Sequence, residues 1–227
     1  GVNIGGGKTD KTALAIEILN SREFFAKFTE KHDILPDLMA VKEWDMPTNT
    51  VVYDEEIYSS ESGDWVREVK TPKKAKPSMQ EAKKEFDVLL SVEQNPDNGM
   101  VLISIEHYSP EVAKQWVEWL IQDINFEMKV RDKEEAENSI QYLQYQIAKT
   151  NVVEQKTLLY QLIEEQAKTL MFAEVRKEYV FKTIDSAQVS EQKFMPKRPL
   201  IVIVGCLAGG VLSTIFLLIR CFSHRKP

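Results

Sequence analysis

The chain has 227 residues, 43% of them hydrophobic and 28% charged, an ordinary globular composition with room for one sizeable core or two small ones. Its 35 acidic and 29 basic residues are unevenly placed: five basic and no acidic residues lie from Pro196 onward, so residues 1–195 carry −11 and the remainder +5. A body this acidic argues against nucleic acid as a partner, because phosphate binding needs clustered Lys and Arg.

Gly5-Gly6-Gly7 reads as a flexible lead, and because the sequence opens on glycine we expect it to be the C-terminal part of a longer protein. Gly6-Gly7-Lys8-Thr9 is not a phosphate loop, since Val2 stands where that motif needs its first glycine. A helix is expected from Asp10, with Leu14, Ile18, Ser21, Phe25 and Phe28 on one face, closed by Pro36. Residues 50–58 and 65–69 read as strands joined by a Ser-Glu-Ser-Gly turn. Ser78 and Glu81 form a capping box that opens a short helix to about Phe86. Residues 88–93 and 100–106 then read as a hairpin across Asn95-Pro96-Asp97-Asn98-Gly99.

Ser109 caps the next helix, with Pro110 at its first position, where a missing N–H costs nothing. No Gly or Pro interrupts residues 111–149, about 60 Å of helix if continuous. Val117, Ile121, Ile124 and Met128 form one seam; Ala136, Ile140, Leu143 and Ile147 form a second, offset by one residue. After a break at Thr150-Asn151, Leu159, Ile163, Ala167 and Leu170 make the stripe of a second helix. Ile140, Leu143, Ile147, Leu159 and Ile163 are the expected contacts of a helical hairpin. Residues 179–184 alternate and read as a returning strand.

Residues 200–219 carry no charge and reach about 30 Å as a helix, one hydrocarbon thickness, so they are expected to span a membrane. Gly205, Gly209 and Ser213, with Gly210 beside them, make a small-residue stripe suited to close helix pairing in lipid. Pro196 and Pro199 mark the entry. Three basic residues flank the span on each side, so the positive-inside rule is tied. The only cysteines, Cys206 and Cys221, lie in or just beyond this span, leaving the body without a disulfide framework or cysteine metal site.

Catalytic chemistry has no visible seat. His32, His107 and His224 lack metal-spaced partners, and the hydrolase and metalloprotease motifs are absent. Neither a metal nor a cofactor is expected. The carboxylates on helices follow solvated faces. Two charge clusters, Asp54, Glu55 and Glu56 against Lys70, Lys73 and Lys74, read as solvated surface, or more sharply as a head-to-tail subunit contact able to close a ring.

The order of strand, Asp185-Ser186-Ala187, Pro196-x-x-Pro199 and a membrane helix with small-xxx-small spacing, behind a long helix capped by Ser109-Pro110, resembles the polysaccharide co-polymerases, the Wzz-type chain-length determinants. Residues 12–22, TALAIEILNSR, also look like that family's first periplasmic helix. The resemblance implies an α+β protein: a base domain over 1–109, a long helix and hairpin over 110–176, a returning strand and stalk over 177–195, the proline pair over 196–199, a transmembrane helix over 200–219 and a cytoplasmic tail over 220–227. A first membrane helix would precede Gly1. The body would lie in the periplasm on the bacterial inner membrane and assemble as a homo-oligomeric ring.

Such a protein sets the modal length of O-antigen or a related polymer made by a separate polymerase, with nascent or lipid-linked glycan as a further partner and no enzymatic activity of its own. The sequence departs from the family where Gln188-Val189-Ser190 follow Ala187 in place of a nearby proline. The short tail implies that no kinase is fused, unlike some capsule-exporting relatives. Two other readings stand beside this one: an export adaptor whose kinase is a separate chain, and an unrelated anchored coiled-coil tether.

Overall fold

The computed structural model describes residues 7–189, 202–203 and 205–210. The chain divides into two bodies, Gly1–Val189 and Ser190–Pro227. In the first, helices α1 (Gly7–Asn20), α2 (Arg22–His32) and α3 (Leu35–Met39) precede strands β1 (Val41–Asp45), β2 (Thr50–Tyr53), β3 (Tyr58–Ser59) and β4 (Asp64–Trp65). Helix α4 (Met79–Leu89), strands β5 (Leu90–Gln94) and β6 (Val101–Ile105), and helices α5 (Pro110–Lys149) and α6 (Val153–Val175) complete it.

The first expected helix is two. Ser21 interrupts it because its side chain accepts the Phe24 N–H at 3.1 Å, which makes Ser21 the N-cap of α2 rather than a mid-helix residue. The buried face of α1 is Ala15 and Leu19, one position on from the expected Leu14 and Ile18, and Leu14 is 42% exposed. Pro36 opens α3 instead of closing a helix, since a first-turn N–H has no intrahelical partner to lose. The expected strand over 50–58 is broken by a turn at 55–57, and β4 is only two residues long. Strand β1, unanticipated from its mixed VKEWD, pairs antiparallel with β2 around a bulge between Val41 and Glu43.

Local signals elsewhere read true. The Ser78–Glu81 capping box is complete in both directions. Gly99 adopts φ +69° in the β5–β6 turn and Gly63 adopts +73° in the β3–β4 turn, a conformation glycine takes without Cβ strain. Register across β5–β6 pairs Leu90 with Ile105 and Val92 with Ile103, which places these four on one face against the core. Ser109 caps α5 through the Val112 N–H, and the helix runs unbroken for 40 residues.

The core gathers Leu19 of α1, Phe24, Phe25 and Phe28 of α2, Ile34 and Leu35 around the start of α3, Phe86 of α4 and one side of α5. That side is Trp116, Leu120, Ile124 and Met128, all within 1% of full burial. Val117 is buried as expected, but Ile121 is only half-buried; Trp116 and Leu120 carry the seam instead. The four phenylalanines together contribute on the order of 6–12 kcal/mol of transfer free energy, before entropy is set against it.

Candidate functional site

Three carboxylates spaced along α5 tie down the N-terminal helices. Asp123 receives Lys31 Nζ at 2.5 Å and His32 Nε2 at 2.8 Å; Glu127 receives Lys27 at 3.0 Å; Asp132 receives Lys11 at 2.5 Å and the Tyr179 hydroxyl at 2.6 Å. The Asp123 and Asp132 side chains are only 11% exposed, so these two carboxylates are not on a solvated face. Hydrogen bonds to Glu127 and then Glu23 raise the Lys27 pKa, while burial and then Asp132 raise that of Tyr179. The His32 ring stacks on Trp119 at 4.2 Å and 13°. His107 accepts the Ser109 N–H at Nδ1, 3.0 Å, and donates from Nε2 to the Asp37 carbonyl, 2.9 Å, so both histidines hold structural contacts. His224 lies outside the described residues.

Half of the six clustered charges make side-chain contacts within the chain. Asp54 accepts the Glu56 N–H, and Glu55 accepts the Ser60 N–H and hydroxyl, both closing the β2–β3 connection. Lys73 pairs with Glu81 at 2.8 Å. Arg67 donates to the Ala75 and Lys74 carbonyls and to Glu81, which fastens the Lys-rich loop to the start of α4. With Lys73, the Ser78 N–H and Arg67 around it, the Glu81 carboxyl is pulled down to about 2. Glu55, Glu56, Lys70, Lys73 and Lys74 are all exposed, and Asp54 is half-buried.

Helices α5 and α6 pack as the expected hairpin. Ala136 of α5 and Ala173 of α6 are fully buried, and Ile140, Leu143, Ile147, Leu159 and Ile163 are half-buried. Ala167, placed on the stripe from sequence, is exposed. Farther out, Tyr142, Tyr145, Leu158 and Tyr160 stand more than half exposed.

Residues 179–184 are not a strand. The Asn125 side chain, 4% exposed on α5, accepts the N–H groups of Tyr179, Val180 and Phe181 at 3.0, 2.8 and 2.9 Å. It also donates to the Phe181 carbonyl at 2.9 Å. Three consecutive donors spent on one oxygen cannot form a ladder, which explains the bent path. Beside this clamp lies a hollow of about 480 Å³, floored by α5 and walled by the end of α6 and the segment after it, with Gln122, Phe126, Arg176 and Thr183 among its lining.

Of the expected membrane span, residues 202–203 and 205–210 are described and helical, and a Cβ added at Gly205, Gly209 or Gly210 meets nothing within 4 Å outside its own helix. The rest of residues 200–219, with Ser213, Pro196, Pro199 and the 190–195 stalk, lies outside the described residues. Among the described residues no helix is long and apolar enough to cross a membrane, and no cluster of His, Cys, Asp or Glu could hold a metal ion.

Residues 144–222 match the family model GNVR, described as "G-rich domain on putative tyrosine kinase". No curated protein matches the chain. The matched span takes in the end of α5, the break at Thr150-Asn151, all of α6 and the clamped segment, and runs on through the glycines at 205, 209 and 210. Residues 144–222, about a third of the chain, are therefore similar to a GNVR domain, a domain associated with polysaccharide co-polymerases.

Proposed function

We propose that the chain is a non-enzymatic regulator of polysaccharide modal chain length, of the O-antigen type, acting as a homo-oligomeric scaffold beside a separate polymerase at the bacterial inner membrane. The observation that carries this reading is the GNVR match lying over the outer part of a 40-residue helix and its antiparallel partner. A hairpin of that length on an α/β body offers extended faces for assembly. The test is complementation with the full-length protein of a strain lacking its own length regulator, read as the ladder of lipopolysaccharide lengths on a gel. A restored modal cluster is the expected outcome; a ladder identical to the empty-vector strain overturns the reading.

The association of the matched family with tyrosine kinases favours a second reading, an adaptor for capsule or exopolysaccharide export that works with a tyrosine kinase on another chain. Surface capsule that depends on the chain, with an unchanged lipopolysaccharide ladder, distinguishes it.

A further inference from the structure

Phe126 stands apart from the other phenylalanines of α2, α4 and α5. Phe24, Phe25, Phe28 and Phe86 are nearly fully buried, whereas Phe126 is 62% exposed in the hollow beside the Asn125 clamp. It shares its face of α5 with Glu118 and Gln122, each one turn apart, so an exposed ring lies in line with an amide and a carboxylate. Lys129, Arg176 and Lys177 bring three positive charges to the lining, and Glu118, Glu174 and Glu178 bring three negative ones. Lys133 pairs with Glu174 at 2.8 Å and the Thr183 N–H donates to Glu178 at 3.1 Å, and both carboxylates are ionised acceptors at the lining.

We propose that this hollow is a subsite for a neutral, hydroxyl-rich pyranose segment of a polysaccharide, laid across the ring of Phe126. The ring face is electron-rich and suits the weakly positive C–H bonds on one side of a pyranose. The Glu118, Glu174 and Glu178 carboxylates, the Gln122 amide and the Arg176 guanidinium supply acceptors and donors for its hydroxyls. At about 480 Å³ the hollow falls within the range of small-ligand pockets. The balance of charge disfavours a polyanion. The density of charge in the lining equally disfavours the core of a contact with a second copy, since such cores are depleted of charged residues. That the sugar belongs to the polymer whose length is regulated rests on the function proposed above; that the hollow takes a neutral glycan does not.

The test is saturation-transfer NMR on the full chain in detergent micelles. The probes are the neutral surface polysaccharide released by mild acid from the encoding strain, dextran, and dextran sulfate as polyanion. Saturating aromatic protons should reach pyranose C–H protons in the wild type and in Phe126→Trp. Phe126→Leu, which keeps apolar bulk without a π face, should weaken binding about tenfold. Tyr142→Ala, an exposed aromatic elsewhere on α5, should change nothing. The proposal is overturned by equal transfer in Phe126→Leu, by no transfer in the wild type at millimolar repeat units, or by tighter binding of dextran sulfate than of neutral polymer. A Phe126→Leu oligomer of altered mass that still binds sugar normally also overturns it, assigning the face to subunit contact. If the wild-type chain fails to alter polymer length in cells, the proposed function falls while saturation transfer still decides the hollow.

Discussion

Asn125 concentrates more structure than any other polar side chain described. Its amide oxygen takes three backbone donors and its nitrogen satisfies a fourth backbone group, all from residues more than 50 positions away. Asn125→Leu keeps similar volume but strands all four, and should cost about 3 kcal/mol by urea unfolding, since each unmet group costs on the order of 1 kcal/mol or more. Asn125→Asp retains the acceptor and should cost clearly less. Glu81 makes a prediction in pH. Its carboxyl lies lowered to about 2 from an ordinary 4.5, so the folded state favours the anion. The stability it contributes is fully present above pH 4.5 and is lost as pH falls toward 2. The gap in urea midpoint between wild type and Glu81→Gln should therefore close over that window, and a constant gap would refute the assignment. Ser78–Glu81 and Ser109-Pro110 were legible because a cap is a local pattern of three or four residues. Asn125 was not, because nothing near it in sequence signals a partner at 179–181.

At the scale of elements, helices were easier to read than their faces. The 40-residue span of α5 follows from the missing Gly and Pro, and Val117, Ile124 and Met128 of its expected seam are buried, yet the stripe runs through Trp116 and Leu120 where Ile121 had been expected. In α6 the burial of Ala173 in place of Ala167 has the same cause: alanine carries too little hydrophobic signal to mark a face. Substitution separates the two. Ala173→Leu forces extra atoms into a closed approach and should destabilise by about 1–3 kcal/mol, whereas Ala167→Leu should be near neutral in the same melt. Strand β1 went unread because Lys42 and Glu43 break its alternation, and the bulge between Val41 and Glu43 is the physical counterpart of that broken pattern.

For the molecule as a whole, the proposed placement of residues 10–195 in the periplasm makes a direct prediction. Alkaline phosphatase fused after Asp185, which folds to an active enzyme only outside the cytoplasm, should be active in cells; a stable but inactive fusion reverses the orientation. The attachment at Asn125 also bears on how far this segment tolerates change in length. A strand in a sheet reads every inserted residue as an exchange of its two faces. A segment pinned only at its start, by Asn125, by the Tyr179 hydroxyl on Asp132 and by the packing of residues 179–181, reads an insertion beyond that point as slack. One or two residues added between Asp185 and Ser186 should therefore leave the melting temperature of the body within about 1 °C, below the roughly 2–4 °C expected for a 1 kcal/mol loss in a body of this size. The distance from the clamp to whatever follows can then vary residue by residue without rebuilding the fold behind it.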